Sequence, residues 1–227
     1  MFKSTLITLE TAVAAAILVR VAADAVDGGR RRSPSTIPAA AAALGAAVGL
    51  PSLLQLGWPQ LLPALRCDPG PVLHHGEVWR LATALAVQDG GVAGTVFNLV
   101  MLGIVAALAS WFWGGRRAVG LFVGAGIALD VVATAFGAVA AGSSGATFAL
   151  AASVAGGQVV RSRGSARRRA AAPLALGAII LASGNAHGLA VLVGGAAGIA
   201  LASAQPERDG APRRAAVSAS SGYPRSK

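Results

Sequence analysis

Two short strings carry the residue types of nucleophilic catalysis. Gly142-Ser143-Ser144-Gly145 opens one apolar segment, and Asn185-Ala186-His187-Gly188 opens another further along the chain. A serine hydroxyl is a weak nucleophile until a neighbouring base takes its proton, and an imidazole is the usual base. A glycine-flanked serine and a histidine, each at the start of an intramembrane helix, can form such a pair inside a bilayer if both lie on the same side. No acidic residue is placed to orient His187, so the pair would be a dyad and not a triad.

The elements that must position this pair follow from composition. The chain has 227 residues, 55% hydrophobic and 12% charged, with a mean hydropathy of +0.65. A soluble domain carries about 25% charged residues. Half that charge, with long apolar runs, implies an all-α polytopic membrane protein. The runs are Ala, Gly, Leu and Val without period-2 alternation, which argues against a β-barrel. The net charge of +10 is explained by arginines gathered in cytoplasmic loops, so nucleic acid is not expected as a partner. The lone Cys67 excludes an intrachain disulfide and reads as a structural loop residue.

Six spans are expected, at residues 37–56, 92–113, 118–140, 144–160, 170–184 and 186–204, the fifth short for a full crossing. With the amino terminus inside, the inner side holds Arg30–Arg32, Arg116, Arg117, Arg161, Arg163, Arg167–Arg169 and the basic tail, and the outer side only Arg66 and Arg80. This asymmetry sets the orientation and an even number of spans, with both termini cytoplasmic. Trp111 and Trp113 then fall at the inner interface, and Trp58 and Trp79 towards the outer one. Residues 1–36 read as a cytoplasmic or interfacial segment, with an extra helix as the alternative, because Glu10, Arg20 and Asp24 interrupt the apolar run. Residues 37–204 form the transmembrane domain, and 205–227 a disordered basic tail. The connection at 57–91 is proline-rich yet apolar, so it is expected to lie partly in the outer leaflet, packed on the bundle. The absence of an internal repeat weakens a transporter reading.

In this layout Ser144 and His187 both begin spans at the outer side. Ser144, Phe148, Ala152 and Gly156 recur along one stripe, and His187, Ala190, Gly194 and Gly198 along another. Two stripes of small residues allow close helix contact, which would bring the hydroxyl within reach of the imidazole.

Several motifs in order then resemble one family, the rhomboid intramembrane serine proteases. The resemblance covers residues 37–204. It rests on Gly76-Glu77-Val78-Trp79-Arg80-Leu81, Phe97-Asn98, Gly142-Ser143-Ser144-Gly145, and Ala186-His187 followed by Gly194. It implies a six-helix bundle with an embedded first outer loop. It also implies proteolysis of transmembrane or membrane-proximal segments of membrane proteins in a bilayer, with no cofactor and no metal. Ser144 would be the nucleophile and His187 the base, with Asn98 and the Ser144 N–H as oxyanion donors. Gly142 and Gly145 would shape the nucleophile turn. Phe148 would pack on the histidine, and Trp79 and Arg80 would anchor the first loop.

Gly94 stands where the family carries a histidine, so one oxyanion donor is absent, with Gln88 as a candidate substitute. Ser110 stands near the place of a glutamate, Ala190 replaces a glycine, and the connection between the fifth and sixth spans is almost missing. The alternative is therefore a rhomboid-like pseudoprotease that binds transmembrane clients without cutting them. A small-solute carrier is a third reading, with Asp130 mid-span in its path. His74 and His75 lack the further ligands a metal site needs. A bacterial cell membrane is the expected setting.

Overall fold

The computed structural model describes residues 2–28 and 36–205. In chain order these form α1 (Phe2–Gly28), α2 (Ala39–Gly57), α3 (Leu61–Leu65), α4 (Pro69–His75) and α5 (Arg80–Thr83). A 3-10 turn at Ala84–Ala86 follows, then α6 (Gly91–Trp113), α7 (Gly115–Ala135), α8 (Ser144–Arg161), α9 (Gly164–Ala182) and α10 (His187–Ser203). No β-strand occurs among the described residues; one isolated antiparallel bridge pairs Cys67 with Ala140.

The helix that begins at Ser144 is the central one. Every residue of α8 from Ala146 to Gly157 is buried, and α1, α6, α7, α9 and α10 all pack against it. A helix buried on all sides must be apolar all round, and α8 meets this with Ala, Gly, Ser and Val and only one aromatic residue, Phe148. The contact with α10 is backbone against backbone. A Cβ on Gly194 would collide with the Ala149 carbonyl, one on Gly198 with the Ser153 carbonyl, and one on Gly156 with the Gly195 carbonyl. The stripe expected on α10 makes this contact through Gly194 and Gly198. On α8 the line runs through Ala149, Ser153 and Gly156, one residue round from Phe148 and Ala152. Phe148 is too bulky for a backbone contact and lies against the His187 ring instead.

Three of the described helices, α2, α6 and α7, are long and apolar enough to cross a membrane, and α10 is a shorter apolar helix. Leu50, Leu53 and Leu54 of α2 and Val92, Val96, Val100 and Ile104 of α6 are exposed, an apolar surface of the kind that marks membrane contact. Arg116 and Arg117 at the start of α7, Arg161 at the end of α8, and Arg167–Arg169 in the first turns of α9 gather at the end of the bundle opposite Ser144. Trp113, expected at an interface, is buried and donates from Nε1 to Ser153 Oγ at 3.0 Å.

Two helix ends differ from expectation. α7 stops at Ala135, not at 140, because Gly137 (φ 69°) closes it in a Schellman motif: Ala138 N–H bonds the Ala133 carbonyl and Gly137 N–H the Thr134 carbonyl. The freed residues run beside the connection between α2 and α6, where Cys67 and Ala140 exchange two main-chain bonds of 2.9 Å. α9 begins earlier, at Gly164, and is 19 residues long, but with arginines in its first turns it is not among the described helices apolar enough to cross a membrane. The arginines at its start can lay their stems along the helix while keeping their charges in water.

The connection between α2 and α6 packs on the bundle through α4 and α5 against α7. Its small core is Cys67, Val72 and Ala84, with Leu81 and Ala140 at the edge. Arg80 ties it together, donating to the carbonyls of Pro63 (3.0 Å) and Arg66 (3.2 Å) and pairing with Glu77.

The amino-terminal segment, expected as cytoplasmic or interfacial, forms α1 along the bundle against α6, α8 and α9. Ala14, Ala15, Leu18, Ala22 and Ala25 are buried on one helical face. Its charges fall off that face: Arg20 pairs with Asp24 one turn on, both exposed. Residues 29–35 and the tail from 206, with the arginines expected there, lie outside the described residues.

Candidate active site

Ser144 is the first residue of α8, and the turn before it is fixed from both sides. Gly142 has φ 116°, a conformation that L side chains rarely adopt, and its N–H donates to the Ala84 carbonyl at 3.0 Å. The buried Ser143 then starts the helix, its carbonyl accepting from the Thr147 N–H (2.9 Å) and hydroxyl (2.8 Å). The first N–H groups of a helix have no intrahelical acceptor, and the positive end of the dipole sits there. Ser144 therefore stands where negative charge on a bound oxygen is favoured. Gly145 lets α7 approach: a Cβ would sit 3.2 Å from Leu129 Cδ1.

His187 is the first residue of α10. Its Nε2 lies 3.1 Å from Ser144 Oγ, and its ring lies against Phe148, centroids 4.8 Å apart. On the other side, Asn185 Oδ1 is 3.0 Å from His187 Nδ1 and also accepts the His187 main-chain N–H at 3.0 Å. Asn185 is thus a site residue that sequence reasoning missed. The available signal was an amide two residues before the histidine, immediately after a Gly184 that closes α9.

Asn98 comes to the same place from α6. Its Nδ2 donates to Gln88 Oε1 at 2.7 Å. The missing side chain of Gly142 defines a space between these groups: a Cβ there would be 3.3 Å from Gln88 Oε1 and 4.0 Å from both Asn98 Nδ2 and Ser144 Oγ. Asn98 Nδ2 and Ser144 Oγ thus border the same space, and an amide nitrogen carries a second N–H besides the one given to Gln88. Gln88 does not substitute for the donor absent at Gly94. It presents oxygen towards Asn98, while its Nε2 is directed to Ser52 Oγ and Ser143 Oγ, each 3.3 Å away. A Cβ added to Gly94 would meet no atom within 4 Å.

Ser144, His187, Asn98, Gly142, Gly145 and Phe148 therefore converge at one end of α8. Arg80 belongs to the connection between α2 and α6, and Gly194 to the α8–α10 contact two turns below the histidine. Trp79 immediately precedes α5, and its side chain is largely exposed, whereas Arg80 makes the hydrogen bonds within the connection. Asp130 is buried towards the C-terminal end of α7, not mid-span; its main-chain oxygen accepts from Thr134 Oγ1 at 2.8 Å. Ser110 is buried and its hydroxyl has no hydrogen-bond partner among the described residues. His74 and His75 are exposed at the end of α4. Among the described residues no three His, Cys, Asp or Glu side chains converge as a metal-binding group.

Comparison with protein-family models, curated proteins and solved structures gives no match to this chain.

Proposed function

We propose that the protein is an intramembrane serine endopeptidase of rhomboid type, cutting transmembrane or membrane-proximal segments of membrane proteins. One observation carries this reading: Ser144 Oγ and His187 Nε2 are 3.1 Å apart at the ends of two central helices, beside a space lined by the Asn98 amide. In the first step the Ser144 hydroxyl gives its proton to His187 Nε2 and its oxygen attacks the scissile carbonyl carbon. The carbonyl oxygen, now negative, is held by the Asn98 amide and the Ser144 main-chain N–H. The C–N bond then breaks, and His187 returns the proton to the leaving amine. Water, activated by the same imidazole, releases the acyl group from Ser144. The six helices α2 and α6–α10 would be the rhomboid core, with α1 as an addition to it. If the arginine-rich end is cytoplasmic, the site faces outward. The amino end of α1, which lies by the site, then faces outward too, opposite to the cytoplasmic placement expected from sequence.

The alternative is a pseudoprotease that holds transmembrane clients without cutting them, and Gly94 favours it. A fluorophosphonate serine probe on the detergent-purified protein separates the two. Labelling of wild type that is lost in Ser144→Ala and in His187→Ala supports the protease. A folded wild type that never labels removes the protease reading and leaves client binding.

A further inference from the structure

We propose that Asn185 is a positioning residue for His187 and that Thr11 of α1 holds it in place, so the amino-terminal helix is part of the candidate active site. The proposal rests on the nucleophile–base reading above and adds how the base is kept in its working form.

The backbone at Asn185 is fixed by the end of α9. Gly184 (φ 87°) closes that helix, with Gly184 N–H on the Leu181 carbonyl (2.9 Å) and Asn185 N–H on the Ile180 carbonyl (3.1 Å), a Schellman arrangement. The side chain is buried, 3% exposed. Its orientation follows from hydrogen-bond logic. The main-chain N–H of His187 can only donate, so the amide atom 3.0 Å from it is the oxygen and not the NH2 group. The same oxygen lies 3.0 Å from His187 Nδ1. Nδ1 must therefore carry the proton, and in neutral imidazole that leaves Nε2 bare. The bare nitrogen is the one 3.1 Å from the Ser144 hydroxyl. A neutral amide thus selects the base-competent tautomer without a buried charge, the orienting task that a carboxylate performs in a triad.

The other end of the amide is held by α1. Asn185 Nδ2 donates to Thr11 Oγ1 at 3.1 Å, and the neighbouring Glu10 Oε2 is 3.0 Å from Ser183 Oγ in the same turn. Two successive residues of α1 therefore dock on the two polar residues that precede the histidine. Further along, the buried alanine face of α1 fixes the helix to the bundle. The connection from α9 to α10 runs only from Ser183 to Ala186, and α1 supports it through Glu10 and Thr11.

The test uses the full chain in bicelles with 15N-labelled histidine, His187→Ala assigning the His187 signals. Wild type is expected to show protonated Nδ1 and bare Nε2. N185D, which still accepts from Nδ1, and T11S, which keeps the hydroxyl, are expected to retain a protonated Nδ1. N185L and T11V are expected to give mixed tautomers. Where the serine probe labels, N185L should slow labelling by ~10–100-fold, the range for removing a histidine's orienting partner, and T11V by less. Should N185L fail to fold, the isosteric T11V against T11S carries the comparison. Wild-type nitrogen shifts in folded T11V and N185L would overturn the proposal. Expected shifts in a wild type that does not label would uphold the positioning and remove the proteolysis, so the two readings fail separately.

Discussion

Asn98 and Gln88 hold each other: the Asn98 amide donates to Gln88 Oε1 at 2.7 Å, and Gln88 is itself locked from behind. Gln55 exchanges two bonds with the Gln88 main chain, Nε2 to its carbonyl and Oε1 from its N–H. Gln88 is 1% exposed, so each of these polar groups needs its partner. With one Asn98 N–H bonded to Gln88 Oε1, the second N–H of that amide is the one an oxyanion beside Ser144 would use in the proposed reaction.

Asn98→Ala should therefore lower kcat by ~10²–10³, the cost of one oxyanion donor, with KM little changed. Gln88→Leu should lower kcat less, because it frees the Asn98 amide without removing it. It should also cost about 1–3 kcal/mol of stability, since Ser52, Ser143 and Asn98 lose a buried partner. Steady-state cleavage of a transmembrane peptide and thermal unfolding would check both. An Asn98→Ala enzyme with unchanged kcat would remove Asn98 from the site.

Gly142 is placed by conformation and by space together. An alanine there must adopt φ near 116°, at a cost of order 1–3 kcal/mol, and its methyl would stand 3.3 Å from Gln88 Oε1. Gly142→Ala is expected to lower the thermal midpoint and to abolish cleavage. Probe labelling of Ser144 should fall as well, because the methyl fills the space where the probe's phosphonyl oxygen must sit. Wild-type labelling in this variant would show that the space is not used.

The approach of Ser144 to His187 was legible from sequence because serine, histidine and glycine at helix starts are a matter of residue type and order. The three helices long and apolar enough to cross a membrane, α2, α6 and α7, were legible from uninterrupted apolar runs. The place of α1 was not legible. Its charges break the apolar pattern, and the pattern says nothing of Glu10 and Thr11 serving as partners for Ser183 and Asn185. The early stop of α7 turned on one glycine, Gly137, in a chain with 30 of them. The roles of Gln88 and Asn185 were hidden because side-chain amides act through distances that only the packed connections set.

Cys67 gives a test of the connection between α2 and α6. Its side chain is 0% exposed, and its Sγ lies 3.1 Å from Thr134 Oγ1. Burial pushes the thiol above its ordinary range, the carboxylates of Asp130 and Asp68 add to the shift, and the Thr134 hydrogen bond and Arg80 oppose it. A raised folded pKa means the folded state holds the proton more tightly, so its contribution is complete below the unfolded value of about 8.5 and is lost as pH rises above it. Thermal midpoints of wild type should fall more steeply between about pH 8 and 10, a window set around that unfolded value, than those of C67S, which has no thiol to titrate. Equal slopes would mean that Cys67 is not buried as described.

Gly194 sets how close α10 comes to α8, and so how close His187 comes to Ser144. Any side chain at Gly194 meets the Ala149 carbonyl, and at Gly198 the Ser153 carbonyl. The obstacle in each case is main chain of the central helix, which cannot rotate aside. Gly194→Ala should force the helices apart at a cost of about 1–3 kcal/mol, the range for overpacking a filled core. His187 lies two turns above Gly194 on the same helix, so this separation lengthens the 3.1 Å approach to Ser144. Labelling by the serine probe should then fall more than the loss of folded protein explains. Gly103, where an added Cβ would meet no atom within 4 Å, is the control: Gly103→Ala should fold and label as wild type. A folded Gly194→Ala protein with the wild-type labelling rate would show that the α8–α10 spacing does not govern the dyad.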